Sequence, residues 1–139
     1  MPRRIPPRNI LFVDRRNDAL TQIAEAFAAA QLEPSGVVAW SAGLTPTRVS
    51  HWAVRVMAEV GIDITPQESK SLDAINAAMM DELILVEPEL VLPPTFAGLH
   101  RREWQIEDPR VAPLSADEML LNFRQARDQL RVLVTSLRS

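Results

Sequence analysis

The residues best suited to chemistry lie in a short polar loop between an apolar segment and a helical pattern. Residues 10–13 (ILFV) are apolar, Asp14 follows them directly, and apolar residues at helical spacing begin near residue 20. A strand, a tight loop and a helix in this order direct backbone N–H groups of the loop and of the first helical turn at one point, where they bind an anion. The sequence therefore predicts an oxyanion-binding loop that starts at Asp14.

The predicted anion loop consists of Arg15, Arg16, Asn17, Asp18, Ala19, Leu20 and Thr21. Asn17 suits a left-handed backbone, and the Thr21 hydroxyl suits a helix start, so a purely structural role is the simpler interpretation of both. Arg15 and Arg16 bring positive charge, but side chains early in such a loop point outward. We therefore expect these arginines to contact solvent or a docked partner.

Several segments resemble the low-molecular-weight protein tyrosine phosphatases and their arsenate reductase relatives. The strand and loop precede Ala24-Glu25-Ala26, and similar segments follow at residues 40–43 (WSAG), 59–63 (EVGID), 69–72 (SKSL) and 104–109 (WQIEDP). Because these segments occur in the family's order along nearly the whole chain, the resemblance implies the family's fold.

The resemblance also implies roles for individual positions. The family has a nucleophilic cysteine where this chain has Asp14, a phosphate-binding arginine where it has Leu20, and an aspartate general acid at Asp108. A carboxylate is a much weaker nucleophile than a thiolate, and leucine offers no hydrogen-bond donor to an oxyanion. We therefore expect a catalytically inactive phosphatase-like domain, a binding or regulatory module whose former active-site rim meets an unknown protein partner or an anionic ligand.

Asp14 has three possible roles. Its carboxylate reaches further than a cysteine sulfur, so it could fill the loop from within as an ionised, built-in anion. It could instead point to solvent, or work with Asp108 in a hydrolase of altered mechanism.

Asp108 could equally be an ordinary turn residue before Pro109. Asp14, Asp18 and Asp108 do not have the spacing of a known metal motif, so we expect no metal.

Composition predicts one globular domain. The chain has 139 residues, and 47% of them are hydrophobic. We expect residues 1–8 to be a flexible, basic Pro/Arg leader and residues 9–139 to form the domain.

The absence of cysteine excludes disulfides and thiolate chemistry within the chain, and no cofactor is expected. A net charge of −3 disfavours nucleic acid as a partner. No apolar run predicts a membrane span or signal peptide, so we expect a cytoplasmic protein of open oligomeric state.

Alternating strand and helix patterns predict an α/β fold, a single doubly wound domain with a four-stranded, mostly parallel sheet and helices on both faces. Strands are expected near residues 10–13, 37–41, 82–86 and 102–105. Helices are expected near 21–30, 50–60 and 72–79, and after a capping box at 115–118. Prolines and a glycine predict irregular structure between residues 87 and 99.

Overall fold

The computed structural model describes residues 7–112 and 114–138. Its strands and α-helices follow in the order β1 (Arg8–Asp14), α1 (Leu20–Leu32), β2 (Val37–Gly43), α2 (His51–Ala58), β3 (Glu82–Leu85), β4 (His100–Glu103) and α3 (Ala116–Thr135). Short 3-10 turns lie at Glu33–Ser35, Leu72–Ala74, Ala77–Met79, Pro94–Phe96 and Ser136–Arg138. No helix within the described ranges is long and apolar enough to cross a membrane.

The four strands form a parallel sheet in the order β2-β1-β3-β4. β1 is central, and its residues 10–13 are fully buried, as expected of a strand covered on both faces. β4 forms one edge, and all four of its residues are exposed. Asp14 pairs with Gly43 at the carboxyl ends of β1 and β2, so the loop after β1 lies at the edge of the sheet where parallel strands place binding sites.

Successive residues of β1 point into two different cores. Ile10 and Phe12 belong to the core that contains α1, α2 and α3, whereas Leu11 and Val13 belong to a smaller core. The smaller core is covered by the segments that carry the 3-10 turns, through Leu72, Met80, Leu90 and Phe96. The predicted α/β fold with a parallel four-stranded sheet is confirmed. Long helices cover one face and short turns the other.

The helix starts differ in their capping. The Ser50 hydroxyl accepts from the backbone N–H groups of Trp52 and Ala53 at the start of α2, and Ser115 and Glu118 form the expected capping box of α3. By contrast, Ala19 precedes α1 and provides no side-chain cap. The first N–H groups of α1 therefore lack a capping side chain of their own.

Two predicted elements differ from the structure. Instead of a helix at 72–79 there are two 3-10 turns, separated by Ile75 and Asn76 in extended conformations. The Asn76 side chain accepts from the Ala78 N–H, a local bond that competes with helix continuation. Arg8, assigned to the leader, lies in β1, where its guanidinium bonds Glu82 and the Leu137 carbonyl. Leader residues 1–6 lie outside the described residues.

Candidate functional site

The loop between β1 and α1 is held from outside through its carbonyl groups. The Thr45 N–H donates to the Arg15 carbonyl at 2.7 Å, and the Ser50 N–H donates to the Asp18 carbonyl at 2.7 Å. The Ser69 hydroxyl donates to the Arg16 carbonyl at 2.8 Å. Since the C=O and N–H of a trans peptide point in opposite directions, the N–H groups that follow these carbonyls point away from the supporting residues, toward the inside of the loop.

Asp14 occupies the inside of this loop. Its Oδ1 accepts from the Asn17 N–H at 2.7 Å and from the Thr21 hydroxyl at 3.1 Å, and the residue is only 6% exposed. Burial raises the pKa of Asp14 to about 6, against the lowering effect of these two bonds and with a further increase from nearby Glu87 and Asp18. Near neutral pH the carboxylate is ionised but protonates readily. Whether it serves as the built-in anion of the loop stays a prediction.

Asn17 connects the loop to two other segments. Its φ of 49° is the left-handed conformation that asparagine tolerates. Its Nδ2 donates to the Thr21 hydroxyl at 2.9 Å, and its Oδ1 accepts from the Lys70 N–H at 2.8 Å and from Gln22 Nε2 at 3.0 Å. Asn17 and Thr21 are thus buried parts of one hydrogen-bond network.

Gln22 is a site residue that the sequence patterns did not single out. It is fully buried in α1, and its Nε2 also lies 2.9 Å from the Asn17 carbonyl and 2.9 Å from the Glu68 carbonyl. Gln67 in turn donates to Gln22 Oε1 at 2.7 Å. No local pattern marked Gln22, because it lies opposite the apolar stripe of α1 and is buried by Gln67 and Glu68, which are distant in sequence.

Asp14 and Asp108, the two predicted catalytic positions, line one cleft of about 460 Å³. Its other lining residues are Arg15, Arg16, Asp18, Leu20, Val86, Glu87, Ile106 and Arg110. Carboxylates outnumber guanidinium groups along these walls. The described part of the chain contains no cluster of three or more His, Asp or Glu side chains arranged to hold a metal ion.

The remaining loop residues divide into exposed and buried ones. Arg15 and Arg16 are exposed, and the Arg15 N–H donates to Glu87 Oε1 at 3.1 Å. Ala19 and Leu20 are buried. Leu20 begins α1 and presents an apolar side chain to the cleft, next to the uncapped helix start.

Arg110 is the second residue missed from sequence. Its Nη1 and Nη2 donate to the two carboxylate oxygens of Asp18 at 2.8 and 3.3 Å, and its Nε donates to Asp108 at 3.1 Å. Burial alone would lower the pKa of Arg110, but the bonds to these carboxylates raise it above its ordinary value, so the guanidinium remains charged. Asp18 and Arg110 are 92 positions apart, so no local pattern could have paired them.

Comparison with known proteins defines the class to which this fold and site belong. Residues 9–92 match the family model described as low molecular weight phosphotyrosine protein phosphatase. The chain therefore belongs to the low-molecular-weight phosphotyrosine protein phosphatase family.

Several similar proteins are arsenate reductases. The chain is 35% identical over 132 residues to a glutaredoxin arsenate reductase of Synechocystis sp., covering 94% of this chain and 95% of that protein. It is 31% identical over 125 residues to an arsenate reductase of Bacillus cereus strain Q1, covering 88% of each. A solved structure, an arsenate reductase in the phosphate binding state, matches with a TM-score of 0.81 and 33% identity, covering 94% of this chain and 96% of that one.

These relatives correct the functional prediction. An inactive phosphatase-like domain that acts only as a binding or regulatory module was expected, with a hydrolase of altered mechanism as the alternative. That prediction is wrong, because relatives matched over most of their length are named as arsenate reductases. The prediction gave the two replaced positions, Asp14 and Leu20, more weight than the resemblance along the rest of the chain.

Proposed function

We propose that this protein is an arsenate reductase that takes its thiols from outside the chain. The observation that carries the proposal is the full-length similarity to arsenate reductases, combined with the loop and cleft at the carboxyl edge of the sheet. The chain itself contains no cysteine. The reducing thiols therefore belong to small thiol compounds or to a glutaredoxin, the class of partner named for the Synechocystis relative.

The reaction balances with two external thiols. The sulfur of the first thiol bonds to the arsenic of arsenate and displaces one oxygen, which leaves as water with the thiol proton and a proton of the arsenate. A second thiol attacks the sulfur of this thiol–arsenate adduct, the S–As bond breaks, and its electron pair stays on arsenic. The proton of the second thiol goes to an arsenic-bound oxygen, so the products are a disulfide and arsenite. Arsenic gains two electrons and the two thiols lose them.

Residues of the cleft would bind the oxyanion and move protons. The inward-pointing N–H groups of the loop and the uncapped start of α1 favour a tetrahedral oxyanion. Asp14, whose pKa is raised to about 6 by burial, is suited to exchange a proton with a thiol or with an arsenate oxygen. Asp108 lines the same cleft and is the candidate acid for the departing oxygen.

The charge of the cleft predicts that arsenate binds best in mild acid. Ionised Asp14 repels the incoming anion and occupies the Asn17 N–H. Protonation below a pH of about 6 removes that charge and turns the carboxyl into a donor. We place the activity in the cytoplasm, where thiols remain reduced.

The test is direct measurement of arsenite. Purified protein is incubated with arsenate, a small thiol and a glutaredoxin at pH 5.5 and 7.5, and arsenite is quantified by chromatography against a mixture without protein. We expect arsenite above background at both pH values and more arsenite at pH 5.5 than at pH 7.5. In Asp14→Ala we expect the difference between the two pH values to disappear.

The matched control for this assay is Glu89→Gln, since Glu89 is an exposed carboxylate outside the cleft lining. It should retain the parent rate. Background rates at both pH values, in protein that circular dichroism shows to be folded, would overturn the proposal.

A further inference from the structure

We infer that Arg110 is a positioning residue that holds the Asp108 carboxylate at the cleft by anchoring itself to Asp18 of the anion loop. We call this set of three residues, Asp18, Arg110 and Asp108, the clasp. The inference deepens the proposed function and rests on it for the role of Asp108 in the reaction. The geometry of the clasp stands independently of that role.

The anchor of the clasp is the Asp18–Arg110 pair. Two Nη–O bonds, at 2.8 and 3.3 Å, join the guanidinium to both carboxylate oxygens of Asp18. The Asp18 side chain is 11% exposed and that of Arg110 is 28% exposed. A two-point contact between a planar fork and a carboxylate fixes orientation as well as distance, and partial burial protects it from screening by salt.

The other end of the clasp is Asp108. Its Oδ1 accepts from the Arg110 backbone N–H at 2.9 Å and from Arg110 Nε at 3.1 Å. Within the described ranges Asp108 accepts no other hydrogen bond, and its side chain is 51% exposed. Without the anchored Arg110 side chain, a half-exposed carboxylate would be left with one local backbone bond and would sample several rotamers.

Packing limits where the Arg110 side chain can go. The guanidinium carbon lies 6.0 Å from the centre of the Phe123 ring on α3, within range of a cation–π contact. The neighbouring Pro109 carbonyl accepts a long bond, 3.4 Å, from the Asn122 amide of α3. Arg110 is thus placed between α3 and the anion loop. Its contact with Asp18 joins the loop after β1 to the segment before α3, and its contact with Asp108 lies within that segment.

A lysine could not replace Arg110 in this geometry. Its single ammonium group would have to choose between Asp18 and Asp108, whereas the guanidinium uses Nη1 and Nη2 for one and Nε for the other. The clasp therefore depends on the shape of the side chain in addition to its charge. If Arg110 only neutralised the acidic cleft, lysine would serve equally well. If Arg110 positions Asp108, lysine should fail.

The first test uses NMR spectroscopy to measure hydrogen exchange of the residue-110 amide, the one within 107–112 that donates a hydrogen bond to another described residue, and needs no activity. Asp18→Asn and Arg110→Lys should each speed exchange there about tenfold, because a charge-assisted contact that restrains the segment is lost. Asp18→Glu, which keeps the carboxylate, should retain most of the protection. Loop residues 15–20, held by Thr45, Ser50 and Ser69, should change little.

The matched control is Arg101→Gln, since Arg101 is an exposed arginine whose partner, Glu103, lies on the same edge strand. It should leave exchange of the residue-110 amide unchanged. Unchanged exchange in both Asp18→Asn and Arg110→Lys would overturn the clasp.

The second test uses arsenate reduction. Arg110→Lys and Asp18→Asn should lower kcat several-fold with little change in KM, and the double variant should be no worse than the more impaired single one, because both break the same contact. A raised KM with unchanged kcat would overturn positioning in favour of direct oxyanion binding by Arg110. If the parent protein forms no arsenite, the proposed function fails while the exchange experiment still decides the clasp.

Discussion

Gly43 lies directly against the backbone of Arg15, and a Cβ atom at Gly43 would come within 2.7 Å of the Arg15 carbonyl oxygen. The same Cβ would lie 2.9 Å from the Asn17 nitrogen. Both neighbours are backbone atoms, so neither can move without moving the anion loop. The end of β2 thus determines how closely the loop after β1 packs on the sheet.

Gly43→Ala should therefore destabilise the protein by about 1–3 kcal/mol, the usual cost of overpacking a tight site, and should disturb the loop. Urea unfolding gives the free energy. Gly98→Ala is the matched control, because a Cβ there meets nothing within 4 Å. Equal stability of the two variants would show that the loop can shift freely.

Asp14→Asn should stabilise the folded protein at pH 8 and have much less effect near pH 4. Burial raises the pKa of Asp14 from 3.8 to about 6, so the ionised form is disfavoured in the folded state. The stability that the protonated carboxyl retains in acid is lost as the pH rises through 6. At about 1.4 kcal/mol per pKa unit the gain at pH 8 is at most about 3 kcal/mol.

Thermal melting of the parent protein and of Asp14→Asn across pH 4–8 measures this dependence. A difference in melting temperature that does not vary with pH would show that Asp14 keeps an ordinary pKa in the folded protein.

Gln22→Met should destabilise the protein by roughly 1–3 kcal/mol, because the Asn17 and Glu68 carbonyls lose a buried donor. Methionine keeps a similar length, so lost volume contributes little. Exchange of amides near Lys70, whose N–H donates to Asn17 Oδ1, should also become faster. Gln125→Met, an exposed position on α3, serves as the control and should be close to neutral.

Glu59→Gln should reduce stability at neutral pH, with the difference shrinking in acid. The hydrogen bond from Arg124, together with Arg127, lowers the pKa of Glu59 from 4.5 to about 2. A lowered carboxyl pKa stabilises the folded state above pH 4.5, and this contribution is lost as the pH falls toward 2. Urea unfolding at pH 7 and pH 3 compares the two forms. A deficit that persists undiminished at pH 3 would contradict the ion-pair explanation.

Local patterns predicted the features that depend on neighbouring residues. The apolar run before Asp14, the capping box at Ser115 and the left-handed Asn17 each follow from a few adjacent positions, and the structure has all three. The helix expected at 72–79 failed for a local reason, since side-chain caps at Ser71 and Asn76 divide it into two turns.

Long-range contacts of the site could not be predicted in this way. The Asp18–Arg110 pair joins residues 92 positions apart, and the Gln22 bond to the Glu68 carbonyl joins residues 46 positions apart. Taken singly in the sequence, Asp18, Arg110 and Gln22 cannot be distinguished from ordinary surface polar residues. Only the packing of α3 and of segment 67–70 against the anion loop brings these partners together.

The exposed β4 strand has a consequence for how copies of this chain meet one another. An edge strand offers unpaired backbone groups that could recruit a strand from another molecule and extend the sheet. The sequence of β4, His100–Glu103 (HRRE), places charged side chains along that edge, with Arg101 paired to Glu103. A second strand would have to desolvate these charges, so this edge resists the strand addition that begins many aggregates.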